Sequence, residues 1–142
     1  MASVPLPQLV AAGDDLVSPG TLDKPTLGLP GHLLFVFYAY TGSYTPADGW
    51  STHGSVLTVS GVNVRLLWRE VTDADAGVAS WSFGGSPVYH AWGLATNPYP
   101  GTAMDVTPSW ALSSTGTNHT RSLTTATDNA LVVAIAADFN GV

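Results

Sequence analysis

Leu33-Leu34-Phe35-Val36-Phe37-Tyr38-Ala39-Tyr40, followed at once by Thr41-Gly42-Ser43-Tyr44-Thr45-Pro46-Ala47-Asp48-Gly49-Trp50, is the stretch whose reading decides the fold. Its first part is apolar or aromatic at every position, and its second part reads as loop. In a strand, Leu33, Phe35, Phe37 and Ala39 face one way and Leu34, Val36, Tyr38 and Tyr40 the other. Neither face is polar, so the strand is expected at a central position, covered on both sides. Pro46-Ala47-Asp48-Gly49 has turn chemistry, with Pro presetting φ and Gly supplying a positive one. Trp50 is then expected to fold back as a large apolar anchor.

Downstream, residues 55–60 and 63–71 read as two strands joined by a tight hairpin at Gly61. In the second, Val64, Leu66, Trp68 and Glu70 alternate with Arg65, Leu67, Arg69 and Val71, which gives one mainly apolar face and one mixed face. Residues 72–77 form a turn, 78–83 a strand, 84–87 another turn and 88–95 a further strand carrying Tyr89, His90 and Trp92. Residues 96–108 hold Pro98, Pro100 and Gly101 and lack periodicity. A loop of that length usually carries function or a partner contact. Short strands are expected to resume near 109–113 and 121–125. In the closing run, Ala130-Leu131-Val132-Val133-Ala134-Ile135-Ala136-Ala137, a helix capped by Asp128 competes with a buried strand. The β-branched Val132, Val133 and Ile135 favour the strand.

Upstream, residues 1–30 hold Pro5, Pro7, Pro19, Pro25 and Pro30. They read as an extended N-terminal arm with short edge strands around 8–12 and 21–24, and residues 31–142 as the β-domain. The whole pattern predicts an all-β fold, a β-sandwich of jelly-roll type. Phe35, Val36, Phe37, Trp50, Trp68, Trp81, Leu131, Val133 and Ile135 are the expected core. The apolar edge of 130–138 is expected to be paired, in part by the arm's 8–12 strand or else by a neighbouring subunit.

Composition narrows the functions. The chain has 142 residues, enough for one domain, with net charge −6 and only 10% charged residues, against about 25% in an ordinary soluble domain. So sparse a charge suggests a surface that lies against other subunits, with a Ser/Thr/Asn-rich polar surface as the alternative. Four cations, Lys24, Arg65, Arg69 and Arg121, provide no basic footprint for nucleic acid. Without cysteine there is neither a disulfide nor a thiolate zinc site. The start has no secretory-signal pattern and no run is long enough to insert in a membrane as a helix. A protein made in the cytoplasm is the expectation.

No catalytic constellation emerges. Gly84-Gly85-Ser86-Pro87-Val88 fails the nucleophile-elbow pattern at its last position. His32, His53, His90 and His119 lack metal-ligand spacing. Asp73, Asp75 and Gly77 faintly echo a calcium loop but lack its remaining ligands, and read as a solvated turn. Glu70 is the sole glutamate, so a carboxylate pair for glycoside hydrolysis cannot be argued from spacing. No catalytic residue, cofactor or metal ligand is therefore assigned. The loop aromatics Tyr44, Tyr99 and Trp110 are the candidate contact residues, for a partner subunit first and a glycan second.

The order of features also carries a resemblance. Gly28-Leu29-Pro30-Gly31 leads into the apolar strand, and Pro46-Ala47-Asp48-Gly49-Trp50 follows it. Arg65-Leu66-Leu67-Trp68-Arg69-Glu70-Val71 comes next, then Ala79-Ser80-Trp81-Ser82-Phe83 and Tyr89-His90-Ala91-Trp92-Gly93, with the Ser122–Ala137 run near the end. This resembles a β-sandwich family common in virion proteins of tailed bacteriophages, usually labelled minor tail or tail-fibre-associated proteins. The resemblance covers about 28–139. It implies a virion location after synthesis in the host cytoplasm, an assembly surface and in some members receptor or glycan contact, with no known active site. In that family the closing run is normally followed by a further strand or two, whereas here Asn140-Gly141-Val142 ends the sequence, an expectation of an incomplete sheet.

The function expected is a non-enzymatic structural virion protein of the tail tip or minor tail. Its partners would be copies of itself and other virion proteins. Capsid decoration is the main alternative, and a carbohydrate- or receptor-binding module the second.

Overall fold

In the computed structural model, which describes residues 6–15, 20–98, 124 and 130–132, the described residues are mostly β-strand with almost no helix. The strands are β1 (Leu9–Asp15), β2 (Thr21–Asp23), β3 (His32–Thr41), β4 (Ser51–Val59), β5 (Val62–Glu70), β6 (Ser80–Ser82) and β7 (Ser86–Thr96). A single 3-10 turn, Asp73–Gly77, separates β5 from β6. Five strands make one antiparallel sheet in the order β1-β7-β3-β5-β4, and β2 pairs with β6 in a small second sheet. The apolar strand β3 lies at the centre, with eight consecutive residues buried.

Alternation along β3 sorts its side chains onto two faces, as its sequence requires. Leu34, Val36, Tyr38 and Tyr40 join Leu67 of β5 and Leu94 of β7 on the first. The β2–β6 ribbon adds Leu22 and Trp81 to that cluster, and Trp50 and Phe83 complete it. On the opposite face Phe37 and Ala39 pack with Val62 and Val64, flanked by Leu57, Val88, Tyr89 and Ala91. Phe35 belongs to this face too. Its ladder partners are Trp68 and Gly93, and its ring lies where a Cβ on Gly93 would be.

The turns follow from local chemistry. Ser60 (φ 49°) and Gly61 (φ 82°) are both left-handed, and Val59 pairs with Val62 across them. That is the two-residue turn whose twist matches a hairpin. Gly49 is left-handed at φ 77°, the Trp50 N–H donates to the Ala47 carbonyl at 3.2 Å, and Trp50 is returned to the core. There its indole meets Trp81 and Phe83 edge-on, with centroids 5.7 and 5.1 Å away.

Part of the expected core needs correction. Trp68 is only half-buried, because its edge-strand neighbour is Ser51, an exposed residue too small to cover the indole. Leu131 and Val132 are exposed, at 38% and 55%, and residues 130–132 are neither strand nor helix. The described clusters are filled from β2 to β7 without them. Val133, Ile135 and the rest of that run lie outside the described residues. β1 of the arm pairs with β7, and the run beyond residue 132, with which part of the arm is expected to pair, lies outside the described residues.

Candidate functional site

Arg65 projects from β5 beside its ladder partner Tyr38, on the face that also carries Tyr40. Its Nε–H donates to the Tyr40 hydroxyl at 2.7 Å. The guanidinium carbon stands 5.2 Å from the Tyr44 ring centroid and 6.0 Å from that of Tyr40, within reach of a cation–π attraction. Beneath it, Tyr38 stacks on Tyr40 at 5.5 Å, and Tyr44 leans on Tyr40 at 5.1 Å. Phe83 closes against Tyr38 at 5.1 Å, and the Tyr38 hydroxyl donates to the Gly84 carbonyl at 3.1 Å. The Arg65 side chain is thus fixed from below by a block of four aromatic rings.

Burial sets the electrostatics of that block. It pushes the Tyr38 phenol up to about 12, with the neighbouring Tyr40 adding to the effect. It pushes Tyr44 up to about 12 as well, against the downward pull of the Arg65 charge. Both phenols are therefore neutral donors at physiological pH. The Tyr44 hydroxyl is buried and meets no hydrogen-bond partner among the described residues.

Alongside Arg65, edge strand β4 is irregular. His53 pairs with Leu66 and Leu57 with Val64, so the register breaks opposite Arg65. Gly54 takes a left-handed φ of 74° there, and Ser55 and Val56 are exposed. Bulges of this kind occur where an edge must stop pairing or a side chain must be re-aimed.

A second charged centre is structural. Arg69 Nη2 meets Asp75 Oδ1 at 2.6 Å, while the Thr72 N–H and hydroxyl donate to Oδ2 at 2.8 and 3.1 Å. Lys24 Nζ donates to the Asp75 carbonyl at 2.6 Å. The guanidinium also lies over Trp81 and Trp50, at 4.8 and 5.9 Å. Burial alone would raise the Asp75 carboxyl, but the Thr72 N–H and the Arg69 charge outweigh it and hold the carboxyl below its ordinary value. The solvated turn expected from the sequence is thus a buried ionic lock, with Asp75 only 4% exposed. It fastens the β2 side and the 3-10 turn to the main sheet.

A shallow groove of about 450 Å³ lies at the other end of the sheet, lined by Leu6, Gln8, Pro30, His32 and Thr96. No group of three potential metal ligands occurs among the described residues. Ser86 opens β7 opposite Thr41 as an ordinary sheet residue, and His90 is buried at 1% exposure.

Of the three contact residues read from the sequence, Tyr44 is placed half-buried under Arg65; Tyr99 and Trp110 lie outside the described residues. The sequence reading missed Arg65 and Tyr40. The alternation of both strands was visible, but their meeting depends on the β3–β5 register, which no local pattern states. Together, fold and site define an all-β antiparallel protein whose most prepared described group is a guanidinium fixed on tyrosines. Compared with family models, curated proteins and solved structures, the chain matches none.

Proposed function

We propose that this chain is a structural virion protein of a tailed bacteriophage, a tail-tip or minor tail component that acts through subunit assembly. The observation that carries the reading is the order of its motifs. The apolar strand, the Pro46–Trp50 turn, the Arg65-Leu66-Leu67-Trp68 strand and the Trp81 and Trp92 strands resemble that virion family in sequence. In the structure these segments are β3 and its turn, β5, β6 and β7, the framework of the described sheets. The sparse charge of the chain supports the same reading, since a surface with 10% charged residues suits burial between subunits better than free solvation.

At the level of fold, we read the five-stranded sheet as one layer of a jelly-roll-like sandwich, with the β2–β6 ribbon belonging to the second layer. The residues of 1–30 serve as an arm whose β1 segment edges the first layer.

Mass spectrometry of purified particles together with particle imaging tests the proposal. The expected result is the chain in the virion, located at the tail. Location on the head would replace the tail reading by capsid decoration. A protein that stays monomeric at high concentration and is absent from virions would overturn the proposal.

A further inference from the structure

We infer that Arg65, held on Tyr40 and Tyr44, is the docking point for an exposed carboxylate of a second copy of this chain. The inference rests on the assembly reading above and names the contact that would build it.

The argument begins with the cations. Lys24 and Arg69 are both committed to Asp75. Arg65 has no acidic partner among the described residues, where the Arg69–Asp75 pair is the salt bridge found. Yet Arg65 is not a loose surface side chain. Its Nε is bonded to Tyr40 and its guanidinium rests over Tyr44, so its ordering entropy has already been lost on folding. Among the described residues the guanidinium is bonded through Nε alone, which leaves its two terminal amino groups for a ligand, and their planar fork matches a carboxylate. The break in β4 beside it keeps a regular edge ladder from forming against this position.

The choice of ligand follows from the same geometry. A sugar would need an open aromatic face, but the Tyr44 ring is covered by Arg65 and flanked by Tyr38 and Tyr40. A nucleic-acid phosphate would need further cations, and an acidic chain of net charge −6 repels it. A carboxylate on a protein needs only the fork. The chain supplies such groups: Asp23, Asp48 and Asp73 are all exposed.

The test is sedimentation of the full chain over a concentration series, at low and at high salt. The wild type is expected to self-associate and to do so less at high salt, as a charge-assisted contact requires. Arg65→Met, which keeps the stem over Tyr44 but loses the fork, is expected to weaken association about tenfold or more, with an unchanged circular dichroism spectrum. Should Arg65→Met fail to fold, Arg65→Lys is read instead; it keeps the charge without the fork and is expected to associate more weakly than wild type. Wild-type association by folded Arg65 variants, or a wild type that is monomeric throughout, overturns the inference. So does Arg65-dependent binding of a polyuronate by a chain that does not self-associate, which would assign the fork to an acidic glycan. A chain found in virions but monomeric in solution defeats only this inference. Arg65-dependent association of a chain absent from virions defeats only the virion reading.

Discussion

Single residues carry much of this fold, and Phe35 shows how. Its ring fills the space above Gly93, where any side chain would overlap it, and it stands beside Trp68 on the same face. Phe35→Ala should cost about 3–5 kcal/mol, enough to unfold a domain of ordinary stability. Gly93→Ala should cost about 1–3 kcal/mol by overpacking, and Phe35→Leu in the same chain should recover part of it; urea denaturation of the single and double variants measures both. The burial of Phe35 was legible because every neighbour in its run is apolar, whereas that of Trp68 was not. Whether a large ring is covered depends on the residue across the ladder, and the Ser51 opposite Trp68 is fixed by register rather than by local sequence. Asp75 teaches the same lesson in reverse. Its acidic, turn-like surroundings suggest solvation, yet Arg69 and Thr72 arrive to pair it in the interior. Removing the carboxylate leaves Arg69 buried without its partner, so Asp75→Ala should destabilise by about 3–5 kcal/mol. Thermal melts at neutral pH that show no loss would refute the ionic lock.

Elements add what residues cannot. The β4–β5 hairpin was readable from Gly61 between two apolar runs, though the turn proper is Ser60-Gly61 and Val62 already pairs. With Gly61 at φ 82°, Gly61→Ala introduces left-handed strain of about 1 kcal/mol, a loss that Gly61→Asn should partly avoid; chemical denaturation midpoints would show the order Gly, Asn, Ala. The two outer strands of the main sheet among the described residues, β1 and β4, each contain a register shift, near Leu9–Ala11 and His53–Leu57. Such irregularities blunt an edge against indiscriminate pairing. Neither bulge was visible beforehand, because the β4 sequence Ser51-Thr52-His53-Gly54-Ser55-Val56 has no alternation that a break could interrupt. The pairing of β1 with β7 was equally hidden. Its two strands lie at opposite ends of the described chain, and short polar-apolar segments like Leu9–Asp15 do not specify a partner.

At the scale of the whole molecule, charge and burial together make the stability of the fold depend on pH. Among the described residues, Asp75 and the Tyr38–Tyr44 pair titrate on opposite sides of neutrality. The Asp75 carboxyl is held below its ordinary 3.8 in the folded chain, so the unfolded chain binds this proton more readily. The stability from Asp75 is therefore complete above about pH 4 and is lost as the pH falls through the lower folded value. The Tyr38 phenol runs the other way. Its folded value of about 12 exceeds the ordinary 10.0, so ionisation is easier in the unfolded chain. Its contribution is complete below about pH 10 and declines as the pH rises toward 12, by about 2–3 kcal/mol in all. Tyr44 acts in the same direction, with the Arg65 charge opposing the rise. Melting temperature should thus be nearly flat from about pH 5 to 9 as far as these groups are concerned, with an acid limb and an alkaline limb of separate origin. Asp75→Asn should lower the plateau and flatten the acid limb without changing the alkaline one. Tyr38→Phe should do the converse, since it removes the ionisable hydroxyl together with its bond to the Gly84 carbonyl, a loss of about 1 kcal/mol at neutral pH. If both limbs persist unchanged in the double variant, the titrating groups lie elsewhere and the Asp75 and Tyr38 environments do not govern the pH dependence of this fold.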